Sequence, residues 1–297
     1  MRKIFFVYNP HAGREQIGSK LNEIIRILAG HSNELTVVPT IGYQDAQNRI
    51  EKLQDGYDLV VCSGGDGTLD EVVTGMMKRP PEKRIPVGYI PAGTANDFAR
   101  SLKIPRNMTD AATVAMVGKP FACDIGSFNQ DTFVYIASFG IFTVVSYSTK
   151  QEVKNVLGHM AYILEAMKSL VNIKSYQMKV SCDEKEIEGD FLFGMITNST
   201  SVAGFQGLVR NEVVFDDGVY EATFIRRPKN PLEIQELLSA MIDAKINSNY
   251  MYTFRTKRLV IESKEAVPWT LDGEFGGEHQ QVVIENNQKA IEIIVKN

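Results

Sequence analysis

The chain has 297 residues, enough for one large domain or two ordinary ones, and 44% of them are hydrophobic, which supplies a sizeable core. The formal net charge of −4, without a polybasic tail, gives no electrostatic footprint for nucleic acid. Cys62, Cys123 and Cys182 are odd in number and far apart, the pattern of reduced, buried thiols in a cytosolic protein rather than of a disulfide framework or a metal site.

In chain order, the N-terminal MRKIFFVYNP has an apolar run that stops at Asn9-Pro10, too soon for the core of a signal peptide. Lys3 to Tyr8 therefore reads as a first strand. Ile17, Leu21, Ile24, Ile25 and Leu28 recur at helical spacing. Leu35 to Val38 predicts a second strand, and a polar helix follows through Ala46 and Ile50 to Leu53. The run Asp58-Leu-Val-Val-Cys62 is nearly all apolar, as in a strand covered on both faces of a parallel sheet. A glycine loop comes next, then a helix carrying Leu69, Val72, Val73 and Met76. Pro86 to Ile90 is a fourth strand, ended by Pro91-Ala-Gly93, with a helix from about Ala95 to Leu102. Strand, loop and helix in rotation predict a doubly wound α/β domain.

Around Phe121 to Asp124 the rhythm changes, which sets domain boundaries of 1–123 and 124–297, soft by about ten residues because no Gly/Ser linker intervenes. Beyond it strands dominate: Tyr176 to Cys182, Ile187 to Thr197, Val213 to Phe215, Val219 to Ile225, Arg258 to Glu262, Trp269 to Leu271, Gln281 to Ile284 and Ile291 to Val295. Helices are expected over Met160 to Val171 and Leu232 to Ala244. This second part reads as mainly antiparallel β, and its last strand is free to pack on the first domain. The longest uncharged stretch, from Thr132 up to Lys150, falls short of a spanning helix, so any membrane contact would be peripheral.

The chemistry concentrates in Ser63-Gly-Gly-Asp-Gly-Thr-Leu-Asp-Glu-Val72. A glycine loop between a buried strand and a helix brings backbone N–H groups close to phosphate oxygens. It is not a Walker loop, since no Lys-Ser/Thr pair follows, nor the dinucleotide fingerprint, since its spacing is G-G-x-G. Carboxylates would repel bare phosphate. Asp66 and Glu71 make sense if Mg²⁺ bridges them to a nucleotide triphosphate, which points to phosphoryl transfer. Thr68 can donate its hydroxyl. The plain alternative makes Asp66 a helix cap, with Thr68 and Glu71 in a capping box. Two further small-residue loops, Asn9-Pro-His-Ala-Gly13 and Pro91-Ala-Gly-Thr-Ala-Asn-Asp97, are expected at the same strand-end edge, where open α/β sheets bind ligands. His11, His31, His159 and His279 show no ligand spacing.

SGGDGTLDEVVTGM and IPAGTANDFARSL, with NPHAG ahead of them, resemble the soluble bacterial diacylglycerol kinase family, whose catalytic domain is shared with sphingosine and ceramide kinases. The likeness continues through FDDGVYEATF and WTLDGEF, so it spans nearly the whole chain. It implies a nucleotide-binding α/β domain, a β-sandwich-like second domain and an active site in the cleft between them. Carried over by motif, Asn9, Pro10, His11, Ala12, Gly13, Thr40, Gly65, Asp66, Gly67, Thr68, Leu69, Asp70, Glu71 and Thr94 would hold ATP. Asp272 would be the general base. Asp217 by side chain, with Val214 and Val219 by carbonyl oxygens, would hold a structural Mg²⁺. Asp66, Asp97 and Asp124 would surround the catalytic Mg²⁺.

The resemblance implies an ATP-dependent, cytoplasmic kinase that works peripherally at the membrane surface on diacylglycerol, making phosphatidate; monomer and homodimer both stay open. Rivals are a sphingoid base or phosphatidylglycerol as acceptor, an NAD kinase, and a non-catalytic nucleotide- or lipid-binding protein. Two features depart from the family pattern. Asp70 stands where Asn is usual, and Tyr135 to Phe142 lacks an Asn-rich start.

Overall fold

The computed structural model describes residues 1–140, 174–198, 214–237 and 250–296, except Gln16, His31, Glu184, Pro231 and Gln235. The chain divides into two compact units. The first comprises Met1–Ile125, Phe215–Asp217 and Asn287–Asn297; the second comprises Gly126–Val214 and Gly218–Asn286.

In the first unit, β1 (Lys3–Tyr8), β2 (Glu34–Pro39), β3 (Leu59–Gly64) and β4 (Val87–Pro91) form a parallel sheet in the order β2-β1-β3-β4. β3 is buried along its whole length, as its apolar run requires. Helices α1 (Ile17–Ala29), α2 (Asp45–Glu51), α3 (Asp66–Met77), α4 (Asp97–Ser101) and α5 (Met108–Val117) alternate with the strands or follow them. α4 is shorter than the Ala95-to-Leu102 helix expected. α5 was not expected at all. Its signal is local: Asn107 accepts the N–H groups of Thr109 and Asp110, a regular N-cap. α5 packs on α1 and β4, and Gly88 admits it: a Cβ there would lie 2.6 Å from Ala115 Cβ.

The second unit is antiparallel. It contains β7 (Ile136–Gly140), β8 (Tyr176–Cys182), β9 (Lys185–Thr197), β10 (Tyr220–Arg226), β11 (Met251–Thr256) and β12 (Arg258–Leu271), with the leading part of β13 (Glu274–Val295). β9 pairs with both β8 and β7, and β12 pairs with the same two, so these four strands close a ring. The core within is aromatic. Trp269 meets Phe128 and Phe139 edge-on, at centroid distances of 5.0 and 4.9 Å. β5 (Lys119–Phe128) pairs with β13 and with the short β6 (Asp131–Phe133).

Several strand expectations need correction. The two pieces expected over 258–271 are one strand, because bulges rather than a turn absorb the register shifts after Glu262 and Pro268. The two expected over 281–295 likewise merge in β13. Val214 and Phe215 are not strand but lie in and before a turn. β11 lacked a sequence signal strong enough to predict it. The helix expected over residues 160–171 lies outside the described residues; of that expected over 232–244, only 232–234 and 236–237 are described, and they are helical. No helix among the described residues is long and apolar enough to cross a membrane. All three cysteines are free and buried.

Candidate active site

The strand order places the topological switch of the first unit between β1 and β3: from β1 the chain moves outward to β2, then crosses back to β3 and on to β4. Their carboxyl ends are Tyr8-Asn9 and Gly64-Gly65, and the three small-residue loops meet there. The Asn9 N–H donates to the Ser63 carbonyl at 2.8 Å, and Ala92 N–H to the Gly64 carbonyl at 2.8 Å. Asn9 Nδ2 donates to Thr68 Oγ1 at 3.4 Å. The glycines are required by contact. A Cβ on Gly13, whose φ is +52°, would sit 1.7 Å from the Ala92 carbonyl oxygen, and one on Gly93 would sit 2.5 Å from Gly65 Cα. Asn96, itself at φ +51°, ties the third loop by accepting from Gly93 N–H and donating to Gly93 O.

Around this junction the ATP-set residues divide. Thr68 is buried beneath the loop, and Leu69 is core, so only its backbone can face a ligand. Thr94 is exposed between β4 and α4. Thr40 follows β2 and donates its N–H to the Tyr8 carbonyl. His11 N–H closes a turn on Asn9 Oδ1.

The two motif acids have different surroundings. α3 begins at Asp66, its cap is Gly65, and no side chain caps it; the capping-box alternative is not formed. Asp66 Oδ1 is buried with no hydrogen-bond partner. Burial, reinforced by the Asp97 carboxylate, pushes Asp66 up to about 6, outweighing the N–H groups of Asn96, Asp97 and Phe98. The Asp66 carboxylate in turn adds to the burial that raises Tyr89. Glu71 instead accepts the N–H groups of Gln44 at 2.9 Å and Ala46 at 3.0 Å, so its carboxylate ties the start of α2 to α3. Burial still raises it, outweighing those N–H groups. The expected pairing of Asp66 and Glu71 on one cation is therefore not the arrangement present.

Asp97 is buried, close enough to act on Asp66, and paired with Arg100 at 3.2 Å. Asp124 is bound elsewhere in the first unit. Its Oδ1 accepts the Lys289 N–H at 2.8 Å and its own N–H donates to the Phe215 carbonyl, while Lys289 Nζ reaches Asp216. Asp124 thus fixes the backbone at Lys289, which has φ +54°. Asp217 lies in the 214–218 turn, between exposed Val214 and half-buried Val219. Among the described residues, no three acidic, His or Cys side chains are gathered as a ready metal cluster. The residues that fit a hard cation are Asp66, with its orphaned oxygen, and Asp97 beside it.

In the second unit, Asp272 and Gly273 turn the β12–β13 hairpin with φ of +49° and +92°, as a two-residue primed turn demands. Asp272 is 5% exposed. Its Oδ1 accepts the N–H groups of Tyr135 at 3.0 Å and Ile136 at 2.9 Å, its Oδ2 accepts that of Val134, and its own N–H donates to the Ile136 carbonyl. The carboxylate is thereby held in one orientation. Space around the Gly273 Cα is open, so that glycine serves the turn's φ rather than a close contact.

The family model for the diacylglycerol kinase catalytic domain matches residues 3–128. Among curated proteins, the chain is 30% identical over 279 residues to the diacylglycerol kinase of Bacillus subtilis (strain 168), covering 93% of this chain and 91% of that one. It is 31% identical to the diacylglycerol kinase of Staphylococcus carnosus (strain TM300), with 92% and 88% covered. A crystal structure from Bacillus anthracis str. Sterne matches with a TM-score of 0.81 at 25% identity, covering 99% of this chain and 97% of that one.

Proposed function

Because the chain belongs to the diacylglycerol kinase family, we propose that it transfers the γ-phosphate of ATP to the primary hydroxyl of diacylglycerol, giving phosphatidate and ADP. The observation that carries this reading is the glycine junction at the switch point, with the buried, unpartnered Asp66 oxygen at the first turn of α3. Backbone donors there suit phosphate oxygens, and the exposed Thr94 and the backbone of Asn9 to Gly13 border the same place. Mg²⁺, held by Asp66 and Asp97, would neutralise phosphate charge.

In this proposal Asp272 takes the proton of the acceptor hydroxyl as its oxygen bonds to the γ-phosphorus and the bond to ADP breaks. The hold of Val134, Tyr135 and Ile136 on its carboxylate supports the role, because a base fixed in orientation needs no reorganisation at the reacting moment. Asp217, Val214 and Val219 are assigned the structural cation and Asp124 the support of the C-terminal turn. The acceptor is a lipid, so the enzyme works peripherally at a membrane surface.

Labelled γ-phosphate offered with diacylglycerol, sphingosine, phosphatidylglycerol and NAD in parallel tests the assignment. Label is expected in phosphatidate. Label in NAD phosphate alone overturns it, and label in another lipid alone keeps the reaction class and replaces the acceptor.

A further inference from the structure

Tyr89 stands at the centre of β4 and is 1% exposed, and its hydroxyl ends between two of the three loops that meet at the site. The phenol oxygen is 3.2 Å from the Gly64 carbonyl oxygen and 3.3 Å from Asn96 Oδ1. A phenol has one hydrogen to give. Both separations exceed the usual O–H···O distance of about 2.7–2.8 Å, as they should when one hydrogen is shared between two acceptors. Neither acceptor depends on it. The Gly64 carbonyl already receives the Ala92 N–H at 2.8 Å, and Asn96 Oδ1 receives the Gly93 N–H at 3.0 Å. A phenylalanine ring would fill the same place and leave no buried polar atom to satisfy. Packing and the needs of its partners therefore do not account for the hydroxyl.

Its position does. Gly64 stands two residues before Asp66, and Asn96 directly before Asp97. One hydroxyl thus touches the approaches to both carboxylates of the candidate cation site, and Asp66 is near enough to act on it. Asn96, at φ +51°, is tied to Gly93 within its own loop; the phenol links it across to the glycine loop. We propose that Tyr89 is a positioning residue of the kinase site: its shared hydrogen clasps the glycine loop to the start of α4 and so sets the separation of Asp66 and Asp97 for a small divalent cation. The inference rests on the kinase reading above and adds to it the residue that spaces the carboxylate pair. Mg²⁺ demands near-ideal octahedral geometry, whereas Ca²⁺ accepts irregular arrangements. Loosening the pair therefore weakens Mg²⁺ more than Ca²⁺.

The test follows cation binding directly, with no lipid and no turnover. Mn²⁺ bound to the full chain with a non-hydrolysable ATP analogue is observed by electron paramagnetic resonance, and Mg²⁺ and Ca²⁺ are titrated against it. Tyr89→Phe should unfold near the parental temperature, since both acceptors keep their N–H donors. It should bind Mg²⁺ about 2- to 10-fold more weakly, the range that one neutral hydrogen bond covers, with a smaller change for Ca²⁺. Tyr89→Leu, which loses the ring as well, should lower thermal stability and show the same erosion of Mg²⁺ over Ca²⁺. Parental Mg²⁺ affinity in folded Tyr89→Phe overturns the clasp, as does an equal loss for both cations. Failure of Tyr89→Phe to fold also overturns it, because the hydroxyl would then serve the fold rather than the site. If the unaltered protein binds neither the analogue nor the cation, the kinase reading falls and takes the clasp with it.

Discussion

Asp272→Asn separates the anchoring of the β12–β13 hairpin from its chemistry. The carboxylate receives three backbone N–H groups, two on Oδ1 and one on Oδ2. The amide oxygen of Asn can keep only one side. Its NH₂ group then faces at least one backbone N–H, donor to donor, at a position 5% exposed. A hydrogen bond to a charged group contributes about 1.5–3 kcal/mol, and an unsatisfied buried donor costs about 1–3 kcal/mol. These overlap, so about 2–4 kcal/mol of stability should be lost. The φ of +49° adds little, since Asn enters the left-handed region as readily as Asp. Trp269, the chain's single tryptophan, is buried in the same unit, so its fluorescence in urea reports the loss directly. Turnover, measured where the variant is still folded, should fall by about 10²–10⁴. A variant as stable as the parent refutes the three-donor anchor. A folded variant with parental turnover refutes the base.

The other predictions concern the first unit. Gly13→Ala places a methyl 1.7 Å from the Ala92 carbonyl oxygen at φ +52°, so thermal stability and ATP affinity should both drop, whereas Gly18→Ala, with nothing within 4 Å, should leave both intact; equal behaviour of the two refutes the loop junction. Asp66 is raised from 3.8 to about 6, so the stability tied to its protonated form is full below pH about 4 and is lost as pH rises through about 6. Asp66→Asn should therefore stabilise the cation-free protein near neutral pH, by up to about 3 kcal/mol, with no gain near pH 4; circular dichroism in urea across that range checks it, and a gain confined to acid pH contradicts it.

The first unit was legible because its signals are local. β3 announces itself by an unbroken apolar run, and the positions of Asn9, Gly65 and Gly93 follow once the strands alternate with helices. α5 escaped because its capping residue, Asn107, precedes an alanine-rich segment with little amphipathic contrast. In the second unit, the bulged β12 and the long β13 each read as two strands. A bulge interrupts alternation much as a turn does, and only the partner strand distinguishes them. The hold on Asp272 by residues more than 130 positions earlier could not be read from spacing at all.

The division between Asp66 and Glu71 was readable in principle. Once α3 starts at Asp66, a separation of five residues turns the second acid by about 140° and advances it by about 7.5 Å. Two side chains so placed do not readily share one small cation with phosphate oxygens around it. The surroundings complete the distinction. Backbone N–H groups occupy both oxygens of Glu71 and both of Asp272, so each carboxylate already has its donors. Asp66 keeps a buried oxygen with no donor and a second carboxylate, Asp97, close by. Of the three acids it is the one whose environment improves most when a cation arrives, and so the one around which a phosphate-transfer site is most economically built.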